Sequence, residues 1–309
     1  MNPPDADSPP ILSVGTQVVT RVAVRDADGR ELRPAGGVGA IMHAPMDREH
    51  RYRIRFADGE SMTFRRHEIE VLSHHQEGAL GAGSGGDLRE HVIYRCIVGS
   101  RAFGLDDEGS DVDVRGIFLP PAHQHWSLTG VPEVLESPDA DECYWELQRF
   151  LVLALKANPN ILECLFTPLV EHCDPIAREL LDLRRCFLSR FIHKTYNGYV
   201  LSQFRKLEKT REGGGAIKWK HAMHLIRLLL SAEAALKTGE LRLDVGEHRP
   251  RLLAIKRGEM AWDEVEAWRL DLQRRFDAAI GRSPLPERPD YERVNAFLIE
   301  ARRSRVNPR

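Results

Sequence analysis

The chain has 309 residues, of which 29% are charged and 42% hydrophobic, and its formal net charge is −2. That length allows two or three domains with their own cores. No apolar run is long enough to span a bilayer, and the first twenty residues, with Asp5 and Asp7 among prolines, lack the basic and apolar parts of a secretory signal, so a soluble protein is expected.

The opening MNPPDADSPP reads as a flexible tail. Short alternating segments follow: TQVVTRVAV, a turn at DADG, GGVGAIMHA, YRIRF, a turn at ADGE, and SMTFRRHEIEVL. Short strands with Asp-Gly turns over about sixty residues predict a small antiparallel barrel of SH3-like type within residues 1–75. Arg51, Arg53, Arg55, Arg65 and Arg66 are either a phosphate-contacting face or a solvated edge of it. Residues 76–88 fall in a stretch rich in glycine and serine that reads as a flexible linker.

Beyond the linker, HVIYRCIVG and DVDVRGIFLP read as strands joined by a glycine-rich turn, and ECYW as a third. The helix ELQRFLVLALKA ends at Asn158-Pro159, and the remainder is nearly all helical. Strands followed by helices predict an α+β domain over residues 89–170 with a helical lobe over 171–309.

Charge is unevenly distributed. Phe103 to Glu146 carries eleven acidic residues against Arg115 alone, whereas Ile176 to Lys237 carries thirteen Lys or Arg against five acids. Such halves suit a metal-bound polyphosphate, although a solvated helix surface explains basic residues as well. Five cysteines (Cys96, Cys143, Cys164, Cys173, Cys186) form no CxxC pair, so free thiols in a reducing cytoplasm are expected.

The chemistry concentrates in GSRAFGLDDEGSDVDVRG, residues 99–116. In a strand, Asp111 and Asp113 share one face while Val112 and Val114 share the other. Two like charges side by side are costly unless a cation lies between them, and hard oxygen ligands suit Mg²⁺, with Mn²⁺ as an alternative. Gly99 and Ser100 open a turn whose backbone N–H groups can receive phosphates.

Gly99-Ser100, ten residues, then Asp111-Val-Asp113 resembles the signature of the polymerase-β-like nucleotidyltransferase superfamily. The resemblance implies a third carboxylate, with Asp139, Asp141, Glu142 and Glu146 in range. DECYWELQRFLVLALKANPNILECLF is similar to the branch associated with bacterial RNA-repair pathways; matching on Leu147, Phe150, Asn158, Pro159 and Glu163 implies Asp141, with Glu146 in reserve. Similar blocks run through YNGYVLSQFRKL, KWKHAMHLIRLLL, LLAIKRGE and SPLPERPDYERVNAFLI, so the resemblance covers residues 90–300.

In KWKHAMHLIRLLL, Lys220, His224 and Arg227 fall on one helical stripe, expected to close over a triphosphate, against the alternative of a solvated face with a buried histidine. Arg101 or Arg115 is placed to neutralise developing charge. His123 and His125 read as loop surface, Trp219 and Tyr199 as core, and Glu163 as a structural tie. The expected activity is Mg²⁺-dependent transfer of a nucleotidyl group from a nucleoside triphosphate such as ATP to an acceptor hydroxyl, foremost an RNA end. The rivals are nucleotidylation of a protein or small molecule, and a non-catalytic RNA-binding protein.

Overall fold

The computed structural model describes residues 12, 15–26, 29–43, 51–72, 87–107, 109–137 and 141–306. The expected N-terminal tail, nearly all of the expected linker, and Asp139 lie outside the described residues. The chain divides into two compact units, Met1–Gly86 and Asp87–Arg309.

The first unit contains β1 (Gln17–Thr20), β2 (Val24–Arg25), β3 (Glu31–Arg33), β4 (Val38–His43), β5 (Tyr52–Phe56), β6 (Ser61–Phe64) and β7 (Ile69–Val71). Five of these form an antiparallel sheet in the order β6-β5-β4-β1-β7, and β2 pairs with β3 separately. The alternation in YRIRF is a structural fact: Tyr52, Ile54 and Phe56 are buried and Arg53 and Arg55 exposed. The inward residues pack with Val18, Ile41, Phe64 and Ile69. The Asp-Gly turn at residues 57–60 closes through Gly59 N–H to the Phe56 carbonyl, with Gly59 at φ +86°. Among the described residues β6 and β7 are unpaired edges, so the expected barrel is not seen to close.

The second unit is mixed α+β. Its first part runs β8 (Val92–Val98), α1 (Gly99–Ala102), β9 (Asp113–Phe118), α2 (Ala122–His125), β10 (Val134–Glu136), β11 (Glu142–Glu146), α3 (Leu147–Leu155), α4 (Pro159–Phe166) and β12 (Val170–Cys173). Six helices follow: α5 (Pro175–Asp182), α6 (Phe191–Glu212), α7 (Trp219–Thr238), α8 (Arg249–Lys256), α9 (Trp262–Ala279) and α10 (Tyr291–Arg303). The strand order is β10-β11-β9-β8-β12, with β11 parallel to β9 and the other pairs antiparallel. β10 and β12 are edge strands that sequence did not predict; β12 reads VEHC and is largely exposed, so it carries no alternation to detect.

Caps fix the helix boundaries. Asn158 caps α4 through its side chain with Pro159 in the first turn, Asp174 does the same for α5 ahead of Pro175, and Gly239 ends α7 in the left-handed region. One hydrophobic core extends from Ile93 on β8 to Ala301 on α10. Residues 89–170 and 171–309 thus differ in secondary structure but share their packing.

Candidate functional site: a carboxylate pair at the sheet end

The C-terminal end of β8 and the N-terminal ends of β9 and β11 meet at one end of the sheet. Val98 pairs with Asp113 across β8 and β9, and Glu142 pairs with Val114 across β11 and β9. Extending that parallel register by one residue sets Asp141 beside Asp113, and the Val114 N–H donates to the Asp141 carbonyl at 2.9 Å. Strand alternation gives the two aspartates one face, shared with Arg115 and Cys143, while Glu142 points to the other, where it accepts from Arg95 at 2.9 Å and from the Tyr144 hydroxyl at 3.2 Å.

The two carboxylates perturb each other's ionisation in opposite directions. Burial, then the hydrogen bond and charge of Asp141, pushes Asp113 up to about 6. Asp141 is lowered: burial works against its ionisation, but the hydrogen bond from Asp113 and the Arg115 charge outweigh it. Arg115 lies alongside, with Nη1 2.8 Å from Asp141 Oδ1 and Nη2 3.7 Å from Asp113 Oδ1. Lys220, exposed on the first turn of α7, is close enough for its charge to lower both aspartates.

Gly99 gives the site its shape. Its φ is +71°, and a Cβ there would overlap the Asp113 carboxylate, lying 2.8 Å from Cγ and 3.2 Å from Cβ. The backbone of the turn therefore lies directly against Asp113, an approach that only glycine allows. Ser100 is half-buried and Arg101 exposed in α1.

One strand boundary differs from the expectation. Strand β9 begins at Asp113, so Asp111 is an exposed residue in the chain leading to it rather than a strand neighbour. Among the described residues no three His, Cys, Asp or Glu side chains gather into a metal cluster. Glu146, the reserve third carboxylate, is at the opposite end of β11, where it accepts from the Arg149 N–H at 3.2 Å and from Arg302 at 3.1 Å. Glu146 is the helix cap of α3.

The basic stripe divides in two. Lys220 faces the aspartates, but Arg227 has 0% exposure: it donates to Glu163 at 2.6 Å, lies 3.6 Å above the Phe103 ring and touches His224 Nδ1 at 3.3 Å. Burial, with the Arg227 and His221 charges, holds His224 well below its ordinary value, so its ring is neutral. Arg227 and Glu163 brace the turn from beneath; neither meets a ligand at the surface. Trp219 packs against the core beside Trp262, and Tyr199 is 37% exposed.

Sequence reasoning missed the tethers of the 103–112 loop. Arg249 donates to the Gly104 carbonyl at 2.7 Å, and Lys256 pairs with Asp107 at 2.7 Å, holding its carboxyl down at about 2 with help from Ser110. The partners are 145 and 149 residues apart, so no local signal announces them.

A glycine turn and paired aspartates thus meet at the ends of adjacent strands of a mixed sheet. The chain matches, over residues 66–300, the family described as RlaP, RNA repair pathway DNA polymerase beta family, and it belongs to that family. The match begins at Arg66, upstream of the expected start near residue 90. Over 153 residues the chain is 28% identical to the uncharacterized protein YcgL of Bacillus subtilis (strain 168), covering 48% of this chain and 58% of that protein. The chain thus spans little more than half the length of that curated relative. No solved structure matches it.

Proposed function

We propose that the protein transfers a nucleotidyl group from a nucleoside triphosphate to a hydroxyl at an RNA end. The observation that carries this reading is the Asp113–Asp141 pair, held on one strand face against the backbone of Gly99. Two hard carboxylates in hydrogen-bonding reach, with Asp111 exposed two residues before the strand, fit Mg²⁺ or Mn²⁺. Held by Asp113 and Asp141, such an ion would supply Lewis-acid activation of the attacking hydroxyl and charge neutralisation at the phosphates. The chain's own groups do the rest. N–H groups of the Gly99–Ser100 turn receive phosphate oxygens, and Lys220 and Arg101 neutralise their charge. Asp141, whose side chain is 54% exposed, faces the acceptor. The acceptor oxygen bonds to the α-phosphorus, the bond to pyrophosphate breaks, and the hydroxyl proton leaves to the carboxylate side.

An RNA acceptor is supported by the family's description and by the exposed Arg53 and Arg55 on β5. The strand order of the first unit, with one helical turn at Arg66–Glu68 before β7, favours the SH3-like reading of that unit. Incubation with each α-labelled triphosphate and a mixture of RNA, protein and small-molecule acceptors tests the proposal. Label on RNA is expected; label confined to protein or small molecule replaces the acceptor, and no label with any acceptor removes the activity.

A further inference from the structure

At the other end of β11 lies a cavity of about 670 Å³, a volume that suits a small ligand. Five residues of strand at about 3.3 Å each separate Glu146, on its wall, from Asp141, so it stands about 16 Å from the carboxylate pair. Its apolar lining includes Val131, Val152 and Ile299, and Trp126, 71% exposed, also lines it. The remaining wall holds four arginines (Arg149, Arg302, Arg303, Arg305) against Glu133 and Glu146.

These arginines already lean on acids: Arg149 on Glu133 at 3.3 Å, Arg302 on Glu146 at 3.1 Å, Arg303 on Glu300 at 2.6 Å and Arg305 on Asp174 at 3.2 Å. A guanidinium carries five donors, so pairing leaves capacity. Among the described residues, the buried side-chain atoms without a hydrogen-bond partner include three on this wall: Nε of Arg302, Nε of Arg305 and Nε2 of His125. His125 is only 11% exposed and its Nε2 is 3.8 Å from Glu146. Unpaired buried donors cost stability unless something meets them.

A ligand that satisfies this wall carries an anionic group for the guanidinium donors, a planar face for Trp126, and polar edges for His125 and Glu146. We infer that the cavity binds a nucleoside monophosphate unit, separately from the catalytic pair. The inference does not rest on the proposed transfer activity. Arg302, Arg303 and Arg305 lie beyond the residues matched by the family, whereas Glu133, Glu146 and Arg149 lie within them.

The test is calorimetric titration of the full-length protein in EDTA with AMP, GMP, CMP and UMP, and with a 5′-phosphorylated oligoribonucleotide. Trp126→Ala and Arg303→Ala alter exposed side chains, and circular dichroism verifies that both fold. Binding of at least one mononucleotide is expected, weakened at least tenfold by each variant and unchanged in Asp113→Asn. Displacement of the mononucleotide by the oligonucleotide identifies an RNA strand as the source; binding of the mononucleotide alone identifies a free nucleotide. Absence of binding by every probe at millimolar concentration, a smaller effect of both variants, or loss of binding in Asp113→Asn overturns the inference.

Discussion

Gly99→Ala is the sharpest single perturbation of this site. At φ +71° an alanine costs about 1–2 kcal/mol in backbone strain. Its Cβ would also overlap the Asp113 carboxylate, and rotating that side chain aside costs a further ~0.5–1.5 kcal/mol without clearing the 3.2 Å contact to Asp113 Cβ. A loss of about 1.5–3.5 kcal/mol is expected in urea unfolding. A carboxylate displaced by about 1 Å also costs on the order of a hundredfold in transfer rate. Gly104→Ala is the internal control, because Gly104 has φ +67° but its Cβ would meet only Asp244 Oδ2, at 3.4 Å. It should show the backbone cost alone and retain divalent-ion affinity, measured by calorimetry. Equal losses of stability and of metal affinity in the two variants would refute the reasoning, because the carboxylate contact would then contribute nothing.

Asp113→Asn should abolish transfer and weaken divalent-ion binding in a folded protein, whereas Asp141→Ala should bind nucleotide nearly unchanged and turn over at least about a hundredfold more slowly; full turnover in both would end the metal assignment. Arg227→Leu leaves Glu163 buried and unpaired, so unfolding should show a loss of about 3–5 kcal/mol, much of it recovered when Glu163→Leu is added. No recovery in the double variant would mean that the pair is not what the substitution disturbs. His224 is held well below its ordinary 6.5, so the unfolded chain takes up a proton there that the folded chain refuses. Stability from this group is present above pH 6.5 and lost as pH falls, and His224→Gln should flatten the decline in Tm between pH 7 and pH 5; an unchanged slope would contradict it. A protein starting at Asp87 should fold and still transfer one nucleotide to a saturating small acceptor, and failure to fold would unite the two units.

Much of the site was legible because strands have a period of two. Asp141, Cys143 and Trp145 could be given one face from order alone, and the parallel register sets that face beside Asp113. Asp111 was misplaced because alternation says nothing about where a strand begins; pairing with β8 starts only at Asp113. Helical arithmetic failed at Arg227 for a different reason. Helix α7 is buried on most of its circumference, so a stripe of basic residues is not a surface stripe, and only the arrival of Glu163 from α4 explains a charge there. Glu146 was readable as a first-turn acid, but its partner Arg302 is 156 residues away.

The tethers from Arg249 and Lys256 also set a schedule. At about 5–20 residues per second, Lys256 leaves the peptidyl-transferase centre about 7–30 s after Asp107. Until then the nascent chain carries Asp111 on a loop that lacks at least the Lys256 anchor. A ribosome-bound or truncated product ending before Arg249 would hold every carboxylate of the site in sequence and none of the clamp on their loop. The Lys256–Asp107 tether can therefore close only after residue 256 has been synthesised.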